Sequence, residues 1–331
     1  MHSPLEFLLP PIETWADWTS AFNDAPLWTP MIDLICAREG IGYRSIEIPR
    51  SNTNAVFILD RRAVLKIYSP FWQEFGFERR LIEVLGNGGD VPVPRSLASG
   101  HIHDRTAWDY LIVEFCEGRT LRSLIQESCL VDVQSIVAEI GVLVRKLHDT
   151  DVRLVSDVAT GERWDALVAR RRGSVLTELI ERRLIAPDLS EALGRILDDA
   201  IAEAESADPV IVHGDLESDH LLIDRTEGGW SVNAMIDFGD ARIGVRDYEW
   251  MPLWLGLFDR DIVAMRAFLK AYDPELARDP LWGHRVAAWT LLHDFGTDAV
   301  AELFENSGVS APVESLEDLR GLLWPGLNVF G

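Results

Sequence analysis

Lysine is nearly missing from this chain. Only Lys66, Lys146 and Lys270 occur, against 28 arginines, so a lysine inside an apolar stretch calls for a specific reason. Cysteine is equally sparse. Cys36, Cys116 and Cys129 show neither metal-ligand spacing nor a disulfide framework, which points to a reduced, cytoplasmic setting. No run of about twenty apolar residues exists, so no membrane span is expected. The opening MHSPLEFLLPPIETW has no basic segment and no long apolar run, and no signal peptide is expected either. Positive charge is scarce overall: 31 Lys plus Arg against 54 Asp plus Glu give a net charge of −23. That balance excludes nucleic acid and anionic membrane as partners and would draw a cationic small molecule inward. An acidic surface kept for solubility accounts equally well for most of these acids. There is no internal repeat or low-complexity tract, and a monomer is expected. With 47% apolar and 26% charged residues in 331, the chain can build one large domain or two modest lobes.

The richest stretch is Val210 to Asp240. Two apolar strand-like runs, Val210–Val212 and Leu221–Ile223, flank His213-Gly214-Asp215-Leu216, and a third, Ser231 to Ile236, leads into Asp237-Phe238-Gly239-Asp240. Acids at the mouths of apolar strands are costly unless something cationic meets them. Asp215 and Asp237, about twenty residues apart across Gly228-Gly229, suit a hairpin that brings both to one cleft. In phosphoryl transfer one carboxylate orients the acceptor hydroxyl while another holds magnesium against ATP.

Upstream, Ala63-Val64-Leu65-Lys66-Ile67-Tyr68 reads as a strand with a lysine inside it, and a compact ammonium aimed at phosphate oxygens would justify it. A helix over about 71–86 carries Phe71, Phe75, Ile82 and Leu85 on one stripe, with Glu78 on the same face and Glu83 on the far side. Glu78 is the partner expected for Lys66, with Glu74 in reserve. Arg50 to Asn54, between the strand-like segments Tyr43–Ile48 and Ala55–Leu59, could turn backbone N–H groups of Ser51, Asn52 and Asn54 toward phosphate, and reads equally as a hairpin turn. Residues 12–40 carry a helical period broken near Pro26 and Pro30. Strands are expected near 96–102 and 108–115. Helices are expected at about 131–148, at 188–206 with a cap near Asp188 or Ser190, and at 262–272, 281–295 and 315–323. The tandem arginines 170–172 and 182–183 read as solvated, salt-bridged helix faces, and most of the twelve tryptophans as packing residues.

His213-Gly214-Asp215-Leu216 with a ligand position at 220, followed by Ile236-Asp237-Phe238-Gly239-Asp240, resembles the aminoglycoside phosphotransferase family. The resemblance implies an α+β, bilobal protein-kinase-like fold: a small β-rich nucleotide-binding lobe over 1–116 and a larger, mainly helical catalytic and substrate-binding lobe over 117–331. It implies ATP, with GTP not excluded, lying between the lobes, and transfer of its γ-phosphate to a hydroxyl of an aminoglycoside-type antibiotic. Asp215 then serves as catalytic base and Asp237 as magnesium ligand, with His220, where the family usually has Asn, or a water completing the Mg2+ shell. Lys66, positioned by Glu78, meets the phosphates, and backbone groups from Glu114 to Cys116 meet the adenine. Glu217, Asp219, Asp240, Glu249 and Asp294 are candidates to receive substrate ammonium groups. Leu27-Trp28-Thr29-Pro30, Val91-Pro92-Val93-Pro94-Arg95, Leu291 to Phe295 and Leu323-Trp324 are similar to the hygromycin B kinases that act on the 7″ hydroxyl. Gly244-Val245-Arg246 and Tyr248-Glu249 depart from the family's Gly-Asp-Pro and Tyr-Asp. Two alternatives stand beside this reading: a kinase for another small hydroxylated metabolite or antibiotic, and a catalytically silent kinase-like binding protein.

Overall fold

A computed structural model of the chain describes residues 7–49, 53–72, 74–127, 133–158, 162–227, 229–279, 282–308 and 312–326. The chain divides into two compact units. The first comprises Met1–Glu117, Val158–Gly161 and Ala234–Gly239, and the second comprises Gly118–Asp157, Glu162–Asn233 and Asp240–Gly331. Asp237, late in the sequence, therefore belongs with Lys66.

The first unit begins with helices α1 (Trp15–Ala21) and α2 (Ala25–Glu39). Thr14 and Asp17 close a capping box on α1, and Asp24 caps α2. The sequence places breaks near Pro26 and Pro30, but the chain breaks earlier, between the two helices. Pro26 stands in the first turn of α2, where its missing N–H has no helical acceptor. Pro30 lies inside the helix and gives up one i→i−4 bond. Burial of Trp28, Met31, Ile32, Ile35 and Cys36 outweighs that loss. A five-stranded antiparallel sheet follows, formed by β1 (Ile46–Glu47), β2 (Ala55–Leu59), β3 (Ala63–Ile67), β4 (Ser96–His103) and β5 (Ala107–Glu114) in the order β1-β2-β3-β5-β4. β1 is shorter than the expected Tyr43–Ile48. Alternation along β2 and β3 points Ala55, Phe57, Leu59, Ala63, Leu65 and Ile67 into one core with Trp18, Trp28 and Trp108. Lys66 and Tyr68 point to the opposite face, where helix α3 (Phe75–Gly88) contributes buried Glu78. Phe71, expected on the α3 stripe, precedes that helix and is exposed.

The second unit is mainly helical. It contains β6 (Arg119–Thr120), α4 (Leu121–Gln126), α5 (Val133–His148), α6 (Trp164–Glu181), α7 (Ser190–Glu205), β7 (Val210–Val212), β8 (Leu221–Thr226), β9 (Gly229–Met235, whose last two residues group with the first unit) and β10 (Arg242–Gly244). Then come α8 (Trp250–Pro252), a wider π-helical turn over Leu253–Leu257, α9 (Ile262–Tyr272), α10 (Trp282–Leu292), α11 (Gly296–Ser307) and α12 (Leu316–Leu323). β7 pairs with β10, and β6, β8 and β9 form a three-stranded sheet. Neither α4 nor α11 is foreseen from sequence. The helix expected over 281–295 stops at Leu292, because His293 turns away to bond the loop after β7. α7 starts at Ser190 without a side-chain cap bond, behind a 3-10 turn. Arg171, expected on a solvated face, is buried among Glu178, Thr297 and the Leu291 carbonyl. Its neighbours Arg170 and Arg172 do form surface pairs, with Glu162 and Asp198. The tryptophans are mostly core: Trp254 stacks on Trp324 at 4.9 Å and Trp164 on Trp289 at 5.4 Å. Among the described residues no helix is long and apolar enough to cross a membrane.

Candidate active site

In the first unit, period two places Lys66 and Tyr68 on the same face of the sheet, and the α3 stripe turns Glu78 toward them. Lys66 Nζ lies 2.8 Å from Glu78 Oε2 and 2.8 Å from Asp237 Oδ1. Tyr68 Oη donates to the same Glu78 oxygen at 2.7 Å. Burial alone would push the Lys66 pKa down, but Asp237, Glu78 and Glu74 outweigh it and hold the ammonium's pKa above its ordinary value. Burial raises the Glu78 pKa, with Lys66 opposing. Glu78 is thus a buried carboxylate that depends on one ammonium and one phenol. Asp237 sits at φ 63°, in the left-handed region that side chains enter at a cost of order 1 kcal/mol, anchored by the fully buried Phe238. Its side chain is 51% exposed. A half-exposed carboxylate offers the hard oxygen donors magnesium takes, and magnesium keeps much of its shell as water and phosphate. The residues therefore fit that ion.

The other expected nucleotide contacts fare differently. Glu74, the reserve partner for Lys66, accepts instead from Asn54 Nδ2 at 2.9 Å, and Asn54 Oδ1 accepts from Ser69 N. Both ends of the Asn54 amide are engaged in cross-linking, so it ties the β2 entry to the chain after β3. Ser51 and Asn52 lie outside the described residues. The amides of Glu114 and Phe115 donate to the carbonyls of Arg95 and Arg62, so an adenine edge would be met by other backbone groups, with the Cys116 amide next in line. The Glu114 carboxylate pairs with Arg95 at 3.0 Å. Burial, with Glu114 adding to it, pushes the half-buried Cys116 thiol up to about 11, so it is no reactive thiolate.

In the second unit, the loop between β7 and β8 is clamped group by group. Buried Glu249 accepts from His213 N at 2.6 Å and from Gly214 N at 3.3 Å. The Gly214 carbonyl receives His293 Nε2–H at 3.1 Å, and the Asp215 carbonyl receives His220 Nδ1–H at 2.5 Å. Gly214 is at φ 77°, and a Cβ there would stand 2.7 Å from the Asp240 carbonyl, so only glycine fits. Asp215 is thereby presented on a backbone whose polar groups are held by the chain's own side chains. Nδ1 of His220 donates to a carbonyl, so in a neutral ring Nε2 would be the nitrogen with the lone pair that a metal takes.

The expected substrate acids are not a bare cluster. Glu217 and Asp219 both pair with Arg122, at 3.4 and 2.6 Å. Asp294 pairs with Arg170 at 2.6 Å, and Arg242 lies 3.8 Å from Asp240 and 4.0 Å from Asp294. Glu249 is not a substrate acid at all: with no exposed surface and both oxygens on loop amides, it is a positioning residue. His148 Nδ1 bonds Tyr272 Oη at 2.7 Å and Nε2 faces Glu249 at 3.5 Å, which makes it a packing residue behind Glu249. Sequence reasoning misses Tyr68, Arg122 and the roles of Glu249 and His293. For Tyr68 the signal was there, since it stands two residues after Lys66 in the same strand.

His293 makes a pH prediction. Burial, with help from Arg242, holds its pKa well below 6.5, and its Nδ1 accepts from Phe295 N, so the folded ring is neutral. The unfolded chain protonates it below about 6.5. Stability is therefore whole above that pH and falls as pH drops toward the folded pKa, by up to about 1.4 kcal/mol per unit. His293→Gln keeps an N–H for Gly214 and loses the titration. Melting curves from about pH 8 to pH 5 should show the wild type losing stability faster than this variant; parallel curves would refute the assignment.

The described geometry can be set beside known proteins. Residues 43–288 match the model of the phosphotransferase enzyme family. A GDP complex of a mutant aminoglycoside 2'-phosphotransferase IIIa superposes with a TM-score of 0.60 at 18% identity, covering 91% of this chain and 95% of that one. A putative aminoglycoside phosphotransferase from Ralstonia eutropha gives 0.61 at 17% identity, with 91% and 98% covered. The streptomycin–ATP complex of APH(2")-IIa gives 0.55 at 16% identity, with 89% and 98% covered. The fold is the kinase-like one expected, with a five-stranded antiparallel sheet in one unit and mostly helices in the other.

Proposed function

The chain belongs to the phosphotransferase enzyme family and is a small-molecule kinase, and from that premise we propose that it transfers the γ-phosphate of ATP to a hydroxyl of a cationic, aminoglycoside-type antibiotic. The observation that carries this reading is Lys66 Nζ held at 2.8 Å from both Glu78 and Asp237: a fixed ammonium beside a half-exposed carboxylate suits phosphate and its counter-ion. Lys66, steadied by Glu78 and Tyr68, meets the phosphate oxygens. Asp237 would hold magnesium, with His220 Nε2 or a water as a further donor, and the ion would neutralise charge on the phosphates. Asp215 fixes the direction of the acceptor hydroxyl and takes its proton late in transfer. Most of the rate gain comes from alignment and charge neutralisation. The first unit supplies the nucleotide-binding groups, and the second supplies the base and the acids that receive the acceptor.

Within that class, hygromycin B is the acceptor proposed, with its 7″ hydroxyl the one attacked. The support is sequence alone: short similar pieces, such as Val91 to Arg95 and Leu291 to Phe295, scattered along the chain. The test is ADP release with magnesium and ATP across an acceptor panel headed by hygromycin B, other aminoglycosides and choline-like amines. Hygromycin-dependent turnover is expected. Turnover with a different acceptor keeps the chemistry and discards the subfamily; no turnover with any acceptor, with ATP still bound, overturns the proposal in favour of a silent binding protein.

A further inference from the structure

The loop that carries Asp215 turns back on itself. The His220 N–H reaches the Glu217 carbonyl at 3.1 Å while its ring reaches the Asp215 carbonyl. Glu217 and Asp219 therefore form the tip of the loop, within one turn of the catalytic carboxylate. Arg122, the second residue of α4, is pinned to that tip by its own backbone N–H, which donates to the Ser218 carbonyl at 3.1 Å. Its guanidinium lies 2.6 Å from Asp219 and 3.4 Å from Glu217. On the other side, Gly256 in the π-helical turn packs so tightly that a Cβ would stand 2.6 Å from Glu217 Cγ. Glu217 has no room to swing that way and stays with Arg122.

We propose that Arg122 is a specificity-determining residue: by neutralising Glu217 and Asp219 beside Asp215, it disfavours polycationic acceptors and favours those with few ammonium groups. The inference rests on the reading of Asp215 as the group that meets the acceptor hydroxyl. Two carboxylates alone would present a charge of −2; with Arg122 the tip presents −1. Arg122, Glu217 and Asp219 remain 42, 38 and 48% exposed, and solvated ion pairs hold weakly. An arriving ammonium can thus compete with the guanidinium, but must displace or share it. Arg170 stands in the same relation to Asp294.

The experiment compares wild type with Arg122→Ala, Arg122→Gln and Arg122→Lys. The probes are neamine and neomycin, which share rings but differ in ammonium count, and spermine as a non-acceptor polycation. Loss of the guanidinium should lower KM for a cationic acceptor by about tenfold, more for neomycin than for neamine, with the gain fading at about 0.5 M salt and KM for ATP holding. Spermine should bind Arg122→Ala more tightly by calorimetry, and Arg122→Lys should keep wild-type preferences. Arg122→Gln covers the case in which the alanine variant fails to fold. Unchanged or higher acceptor KM, an ATP effect of equal size, or a lysine variant that behaves like alanine would overturn the proposal. If no protein turns over neamine, neomycin or hygromycin B, added as a third acceptor, the phosphotransfer reading falls separately, and the spermine arm still decides whether Arg122 screens the tip: equal binding to wild type and Arg122→Ala refutes it.

Discussion

Asp215→Ala should turn over about a thousandfold more slowly than the wild type while binding ATP with nearly the same affinity. The structure makes this a clean experiment. The backbone of the loop is held by Glu249, His293 and His220 through bonds to main-chain groups, and none of those bonds uses the Asp215 carboxylate. Removing the carboxylate gives up its 3.8 Å contact with the His220 ring but none of these main-chain bonds, so the loop keeps its clamps and the loss reports on orienting and deprotonating the acceptor hydroxyl. Steady-state kcat with a saturating acceptor, paired with calorimetric titration of nucleotide, checks it. Activity within tenfold of wild type would remove Asp215 from the chemistry, and a collapse of nucleotide binding would mean the residue is structural.

Lys66→Met should be damaging in two currencies at once. Deleting the ammonium leaves Glu78, 3% exposed on its side chain, with Tyr68 as its donor among the described residues, and it removes the contact that fixes Asp237. Stranding a buried carboxylate costs about 3 kcal/mol, and loss of the phosphate-facing cation should lower kcat/KM by about a hundredfold or more. The pH dependence carries the diagnosis. The Lys66 pKa is raised, so in the wild type its contribution is complete below 10.5 and lost only as pH climbs through its folded value. The Glu78 pKa is also raised, and Lys66 is what restrains it. In the variant, stability should therefore be best on the acid side and fall further than in the wild type as pH rises above 4.5. Urea denaturation at about pH 5 and pH 8 measures this; a loss of equal size at both would mean Glu78 is not the stranded group.

The residues legible from sequence are those whose signal is local. Lys66 stands out because it interrupts an apolar strand in a chain with three lysines, and Glu78 because it lies on a helical stripe otherwise apolar. Their meeting at 2.8 Å follows from two periodicities read separately. Glu249 is different. Read from Tyr248-Glu249 as an acid for a substrate ammonium group, it is instead buried on the backbone N–H of His213, 36 residues upstream, and no local pattern reports that distance. His293 hides for the same reason, inside what reads as one continuous helix. Asn54 looks like a phosphate-facing turn residue until its amide is found tying Glu74 to Ser69. Glu217, Asp219 and Asp294 are visible as acids, but Arg122 and Arg170 beside them come from distant elements, so their effective charge is not.

The clamped loop also sets a timetable for synthesis. His213 and Gly214 leave the ribosome well before the side chains that hold them: Glu249 follows His213 by 36 residues, and His293 follows Gly214 by 79. At roughly 5–20 residues per second, that second interval lasts about 4–16 s. Until Glu249 emerges the amides of His213 and Gly214 have only water to bond, and until His293 emerges so does the Gly214 carbonyl. The nascent chain can assemble its lysine-bearing sheet early, but the loop that carries Asp215 is fully clamped only after His293 has emerged.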